Sequence, residues 1–63
     1  MSGPEERAVY FEFIAVGNAV KATAIDSLTG IEVSIMGPTS ASQADLKQLA
    51  LQKLKARLKR EGP

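Results

Sequence analysis

A two-residue Gly17-Asn18 step joins two apolar, β-prone runs, Val9 to Val16 and Ala19 to Asp26, and no other feature restricts the fold as much. Loops this short require positive φ, which glycine and asparagine tolerate. They also fix the register. Val16 then faces Ala19, Ala15 faces Val20, Phe13 faces Ala22, Phe11 faces Ala24 and Val9 faces Asp26, while Ile14 meets Lys21, Glu12 meets Thr23 and Tyr10 meets Ile25 on the opposite face. The first face sets two phenylalanines against two alanines, leaving a trough beside each ring that suits the close approach of a helix.

Ser27-Leu28-Thr29-Gly30 reads as the next turn, with Gly30 as its left-handed residue, followed by a third strand from Ile31 to Met36. Two registers compete here. A four-residue loop pairs Asp26 with Ile31, Ala24 with Val33 and Ala22 with Ile35, and so gathers Val9, Phe11, Phe13, Ala15, Val20, Ala22, Ala24, Ile31, Val33 and Ile35 on one face. A three-residue loop with a bulge sends Ile31, Val33 and Ile35 to the other side. The first is preferred because it yields a contiguous apolar surface. The remaining face is still not cleanly polar, since Tyr10, Ile14, Val16, Ile25 and Met36 stand among Glu12, Lys21, Thr23, Glu32 and Ser34. A solvated face of an antiparallel sheet alternates better than this.

Gly37-Pro38 stops the third strand, and a helix follows from about Ser42 to Arg60. Ser42 with Asp45 three residues on resembles a capping box, and Asp45, Lys59 and Arg60 suit the helix dipole. At 100° per residue Leu46, Ala50, Leu54, Leu58, Leu51 and Ala44 fall within an arc of about 160°, with Leu49 outside it. Such a helix is about 28 Å long and can cover one face of a narrow three-stranded sheet, not both. The sequence therefore predicts an α+β fold, a three-stranded antiparallel β-meander followed by one C-terminal amphipathic helix packed on one face (β-β-β-α). Residues 1–7 read as a flexible tail, 8–60 as a single domain and 61–63 as a frayed end.

A chain of 63 residues is near the lower limit for a self-sufficient core. It has no cysteine and no histidine, which removes disulfides and the common soft-metal sites as remedies and leaves oligomerisation or very good packing. The unclaimed sheet face and the unpaired outer strands point the same way, to a homodimer, with or without a helix exchanged across the Gly37 to Ser42 linker. The candidate interface is Tyr10, Ile14, Val16, Ile25, Met36 and Leu49. Its acidic, polar start is unlike a signal peptide, and no apolar run is long enough to span a membrane, so a cytoplasmic protein with no membrane partner is expected.

The segments 9–58 carry a resemblance: Tyr10-Phe11-Glu12-Phe13, Gly17, Val20-Lys21, Ala24-Ile25-Asp26, Thr29-Gly30, Glu32-Val33, Ile35 and Gly37-Pro38, then a Lys/Leu-rich helix with Lys53-Leu54. Together they resemble an uncharacterised family of short bacterial proteins. The resemblance implies a bacterial cytoplasmic protein and no assigned activity.

The residues offer little chemistry for an enzyme, because histidine and cysteine, the easiest proton carriers and nucleophiles near neutral pH, are absent. Glu12, Lys21, Tyr10 and Thr23 could form an acid-base cluster, but a cross-strand ion pair at a subunit contact explains them better. Thr39, Ser40 and Ser42 at a helix start fit capping better than anion binding, and lack the spacing of a phosphate loop. Asp26 to Gly30 has too few carboxylates for a calcium loop. No catalytic residue, cofactor or metal is expected.

Charge is the last lever. Residues 1–39 set Arg7 and Lys21 against Glu5, Glu6, Glu12, Asp26 and Glu32, a net −3, whereas residues 40–63 set Lys47, Lys53, Lys55, Arg57, Lys59 and Arg60 against Asp45 and Glu61, a net +4. The basic part should attract the acidic one, within or between chains. Lys53, Lys55, Arg57, Lys59 and Arg60 could instead track a nucleic-acid backbone, although the sheet is acidic and no aromatic platform accompanies them. The leading expectation is a small non-enzymatic homo-oligomeric protein-interaction module; the alternative is a nucleic-acid-binding protein using the basic helix.

Overall fold

A computed structural model describes residues 7–61. It contains β1 (Val9–Val16), β2 (Ala19–Asp26), β3 (Glu32–Pro38) and α1 (Gln43–Glu61), the strands forming one antiparallel sheet in the order β1-β2-β3. This is the β-β-β-α architecture expected from the sequence. The expected tail over residues 1–6 and the end at 62–63 lie outside the described residues; Arg7 and Glu61 lie inside them.

Both registers follow the turn chemistry. Val9 opposes Asp26, Phe11 opposes Ala24 and Phe13 opposes Ala22, as a two-residue loop demands. Gly17 alone takes positive φ, at 60°, and Asn18 does not, which is the pattern of a type II′ turn. In the second hairpin Ala24 opposes Val33 and Ala22 opposes Ile35, the register of the four-residue loop. Gly30, at φ 78°, closes that loop and donates its N–H to the Asp26 carbonyl at 2.9 Å.

α1 begins where Ser42 caps it: Ser42 Oγ accepts from the Asp45 N–H at 3.0 Å and the Ser42 carbonyl accepts from Leu46 at 3.1 Å. The helix lies over β2 and β3 and touches β1 least. Leu46 meets Gly37 near one end of β3 and Lys53 meets Ser34 further back, so α1 runs antiparallel to β3. Its core-facing residues Leu46, Ala50 and Leu54 are buried against Ala22, Ala24 and Val33. The two alanines are fully covered because small side chains let the helix axis come close. Gly37 serves the same approach at the other strand, since a Cβ there would overlap Leu46 Cδ2.

The lateral position of the helix decides what happens to the phenylalanines. Phe11 and Phe13 stand on the helix side of the sheet, but on the strand the helix covers least, and they remain half-buried. Ala15, at the far end of that face, is exposed, as is Ala44 on the helix.

Candidate functional site

Two surfaces of the sheet have no partner within the described residues: the face opposite α1, and the outer edge of β1. The registers lay out the uncovered face as four rows across the three strands, Val16-Ala19-Pro38, Ile14-Lys21-Met36, Glu12-Thr23-Ser34 and Tyr10-Ile25-Glu32. Tyr10, Ile14, Val16 and Met36 are 60, 49, 48 and 56% exposed. Large apolar side chains thus occupy three of the four rows, which is unusual for a face in water.

The centre of this face is polar and closed. Thr23, on the middle strand, is buried between longer neighbours, and its hydroxyl shares a 2.9 Å hydrogen bond with that of Ser34. Ile25 is half-buried beside it, so it contributes less open surface than the other interface candidates. Leu49 is 53% exposed, but it projects from the helix and does not join the patch on the other side of the sheet. Glu12 and Lys21, set diagonally here, form no ion pair among the described residues.

The strand edges differ from one another. Ser27 donates its N–H to the Ala8 carbonyl at 2.9 Å and its Oγ accepts the Ala8 N–H at 3.0 Å, which marks 8 and 27 as a hydrogen-bonded position of the ladder. Alternation along an antiparallel ladder then directs the N–H and C=O groups of Tyr10, Glu12, Ile14 and Val16 to β2, and turns those of Val9, Phe11, Phe13 and Ala15 outward. On β3 the Asp26 N–H to Ile31 carbonyl bond, 2.9 Å, sets the opposite parity, so Glu32, Ser34, Met36 and Pro38 face outward. That edge is obstructed. Lys53 Nζ occupies the Ser34 carbonyl at 2.8 Å, Pro38 has no N–H, and its carbonyl accepts from Ala41 at 3.0 Å.

The basic residues of the helix are dispersed. Besides Lys53, Arg57 is engaged with Glu61 at 3.0 Å, and Lys47 Nζ stands 5.1 Å from the centre of the Phe11 ring. Lys55, Lys59 and Arg60 are exposed. The attraction expected between the basic and acidic parts is met within the described residues by a carbonyl and a ring, not by a carboxylate of the sheet.

Sequence reasoning missed one buried charge. Asp26 is fully covered, and its Oδ2 accepts from the Thr29 N–H at 2.9 Å and the Thr29 hydroxyl at 2.7 Å. Arg7 Nε stands 2.7 Å from Oδ1, off the line of a hydrogen bond, and Oδ1 has no hydrogen-bond donor among the described residues. Burial pushes this carboxyl toward neutrality, but the Thr29 hydroxyl and N–H, the Arg7 charge and the Leu28 N–H outweigh it and hold its pKa below the usual value. The signal was available as Asp-x-x-Thr-Gly, a turn in which an aspartate binds the chain ahead of it. The group is a structural clamp on the second turn.

No helix among the described residues is long and apolar enough to cross a membrane. A family model described as a domain of unknown function (DUF6898) matches residues 6–61. No curated protein and no solved structure matches the chain.

Proposed function

The chain belongs to the DUF6898 domain family, whose function is not assigned, and we propose from its own surfaces that it is a small non-enzymatic protein-interaction module that works as a homo-oligomer in the cytoplasm of a bacterium. One observation carries this reading: Tyr10, Ile14, Val16 and Met36 keep about half of their surface open on a sheet face that no other part of the described chain covers. Free energy favours removing such a surface from water, at about 25 cal/mol per Å² of apolar area. A partner would do so, since the one helix among the described residues covers the other face. The absence of histidine and cysteine supports a role without catalysis, since the remaining candidates Glu12 and Lys21 lie on an open sheet and not in a cleft.

Sedimentation equilibrium tests the homo-oligomer. The expected mass is twice the 6.7 kDa of one chain, and a lone 6.7 kDa species at the highest attainable concentration overturns the reading. A nucleic-acid role for Lys55, Lys59 and Arg60 is separated by a mobility-shift titration with mixed RNA and DNA: it requires binding that weakens steeply with salt.

A further inference from the structure

We infer that two copies of this chain join along β1, antiparallel and in the plane of the sheet, to give one six-stranded sheet with both helices on the same side. This inference rests on the homo-oligomeric reading above but puts the contact between copies at the β1 edge, and leaves the open face of Tyr10, Ile14, Val16 and Met36 to a further partner of the module. A strand edge is a row of unpaired donors and acceptors that binds another such row. β1 offers eight residues, Val9–Val16, without proline, glycine or lysine, the residues that ordinarily blunt an edge. The outward N–H and C=O groups of Val9, Phe11, Phe13 and Ala15 form that row. β3 cannot match it, because Lys53 fills the Ser34 carbonyl, Pro38 lacks a donor and the Pro38 carbonyl is taken by Ala41.

The difference between the edges selects the occupant and closes the assembly. Adding β1 of one copy to β3 of the next would build an open filament, whereas β1 on β1 is a two-fold contact that ends with two chains. Outward-facing residues pair with outward-facing residues, so the axis passes through a residue of β1. An axis at Glu12 sets two carboxylates opposite one another, which is unfavourable. An axis at Phe13 sets Phe13 on Phe13 and Phe11 on Ala15; an axis at Phe11 sets Phe11 on Phe11 and Phe13 on Val9. Either one gathers the four half-buried rings into the channel between the two helices, where each is sheltered on both sides. Paired residues in an antiparallel ladder share a face, so Tyr10, Ile14, Val16 and Met36 of both copies lie together on the other side and stay free for a further partner. The strip of β1 backbone with Phe11, Phe13 and Ala15 is continuous and spans the length of the sheet.

The experiment pairs amide hydrogen exchange with sedimentation on the whole chain. In the dimer the amides of Phe11 and Phe13 exchange slowly with either axis, joined by Ala15 when the axis is at Phe13 and by Val9 when it is at Phe11, and dilution below the dissociation constant releases them at least tenfold while Glu12 and Ile14 keep their intrachain protection. Val9→Pro and Ala15→Pro each remove an outward donor without breaking a bond to β2, and the one that lies within the paired row is expected to be a folded monomer. Should that variant not fold, the exchange pattern of the wild type decides alone. A wild-type dimer whose Phe11 and Phe13 amides exchange freely overturns the β1 contact and leaves the homo-oligomer standing. A wild-type monomer overturns both.

Discussion

Lys53 Nζ donates to the Ser34 carbonyl at 2.8 Å, so a side chain of the helix occupies the outer edge of β3 nineteen residues back in the chain. An ammonium at this place does two things at once. It anchors α1 laterally, and it takes up an acceptor that an incoming strand would need.

Lys53→Ala should therefore alter assembly more than stability. The contact is solvent-exposed, and its loss is expected to cost about 0.5–1.5 kcal/mol. With Ser34 released, sedimentation velocity at high concentration should reveal species larger than the dimer proposed above, and the wild type should not.

Gly37→Ala probes the approach of the helix to β3. The new methyl overlaps Leu46 Cδ2, and Leu46 is buried, so the clash is relieved only by moving packed atoms. Overpacking of this kind costs about 1–3 kcal/mol. Urea denaturation followed by circular dichroism should show a lower midpoint with little change of slope.

Leu54→Ala and Leu49→Ala contrast two leucines on one helix. Leu54 is fully buried and Leu49 is half exposed. Truncating the first should cost about 2–5 kcal/mol, enough to unfold much of so small a domain. The second should stay within about 0.5 kcal/mol. Both are read from thermal melts at one protein concentration.

Asp26 predicts a pH dependence whose sign is fixed. Its pKa is held below the ordinary carboxyl value in the folded chain, so the folded state prefers the ionised form. The stabilisation is complete above the unfolded value and is lost as pH falls below it and through the folded value. Unfolding midpoints measured from pH 6 downward should fall in that range in the wild type. Thr29→Val, which deletes the hydroxyl donor, should narrow the effect, and Asp26→Asn should remove it.

The registers were legible in the sequence because they depend on local chemistry. Gly17-Asn18 admits one pairing, and Ser27 to Gly30 admits two, between which the apolar pattern of Ile31, Val33 and Ile35 decides. The placement of the helix was not legible. A helical wheel tells which residues of α1 are apolar, but not which strands they meet. Ala22, Ala24 and Gly37 together mark the path of closest approach, and Gly37 was read only as the end of a strand. The uncovered patch was foreseen through Tyr10, Ile14, Val16 and Met36, whereas Leu49 belongs to another side. The tie from Lys53 to Ser34 depends on the conformation of a long side chain that no spacing encodes.

The order β1-β2-β3 means that each strand pairs with the next in the chain, whereas the helix reaches back past β3 to Ala22 and Ala24 of β2. The local hairpin contacts close a shorter loop than the helix contacts do, and are expected to form first. Until α1 docks, the meander stands without its cover, with Ala22, Ala24 and Val33 open to water on one face and the β1 edge unpaired. A chain in that interval is the form most exposed to pairing with the wrong strand.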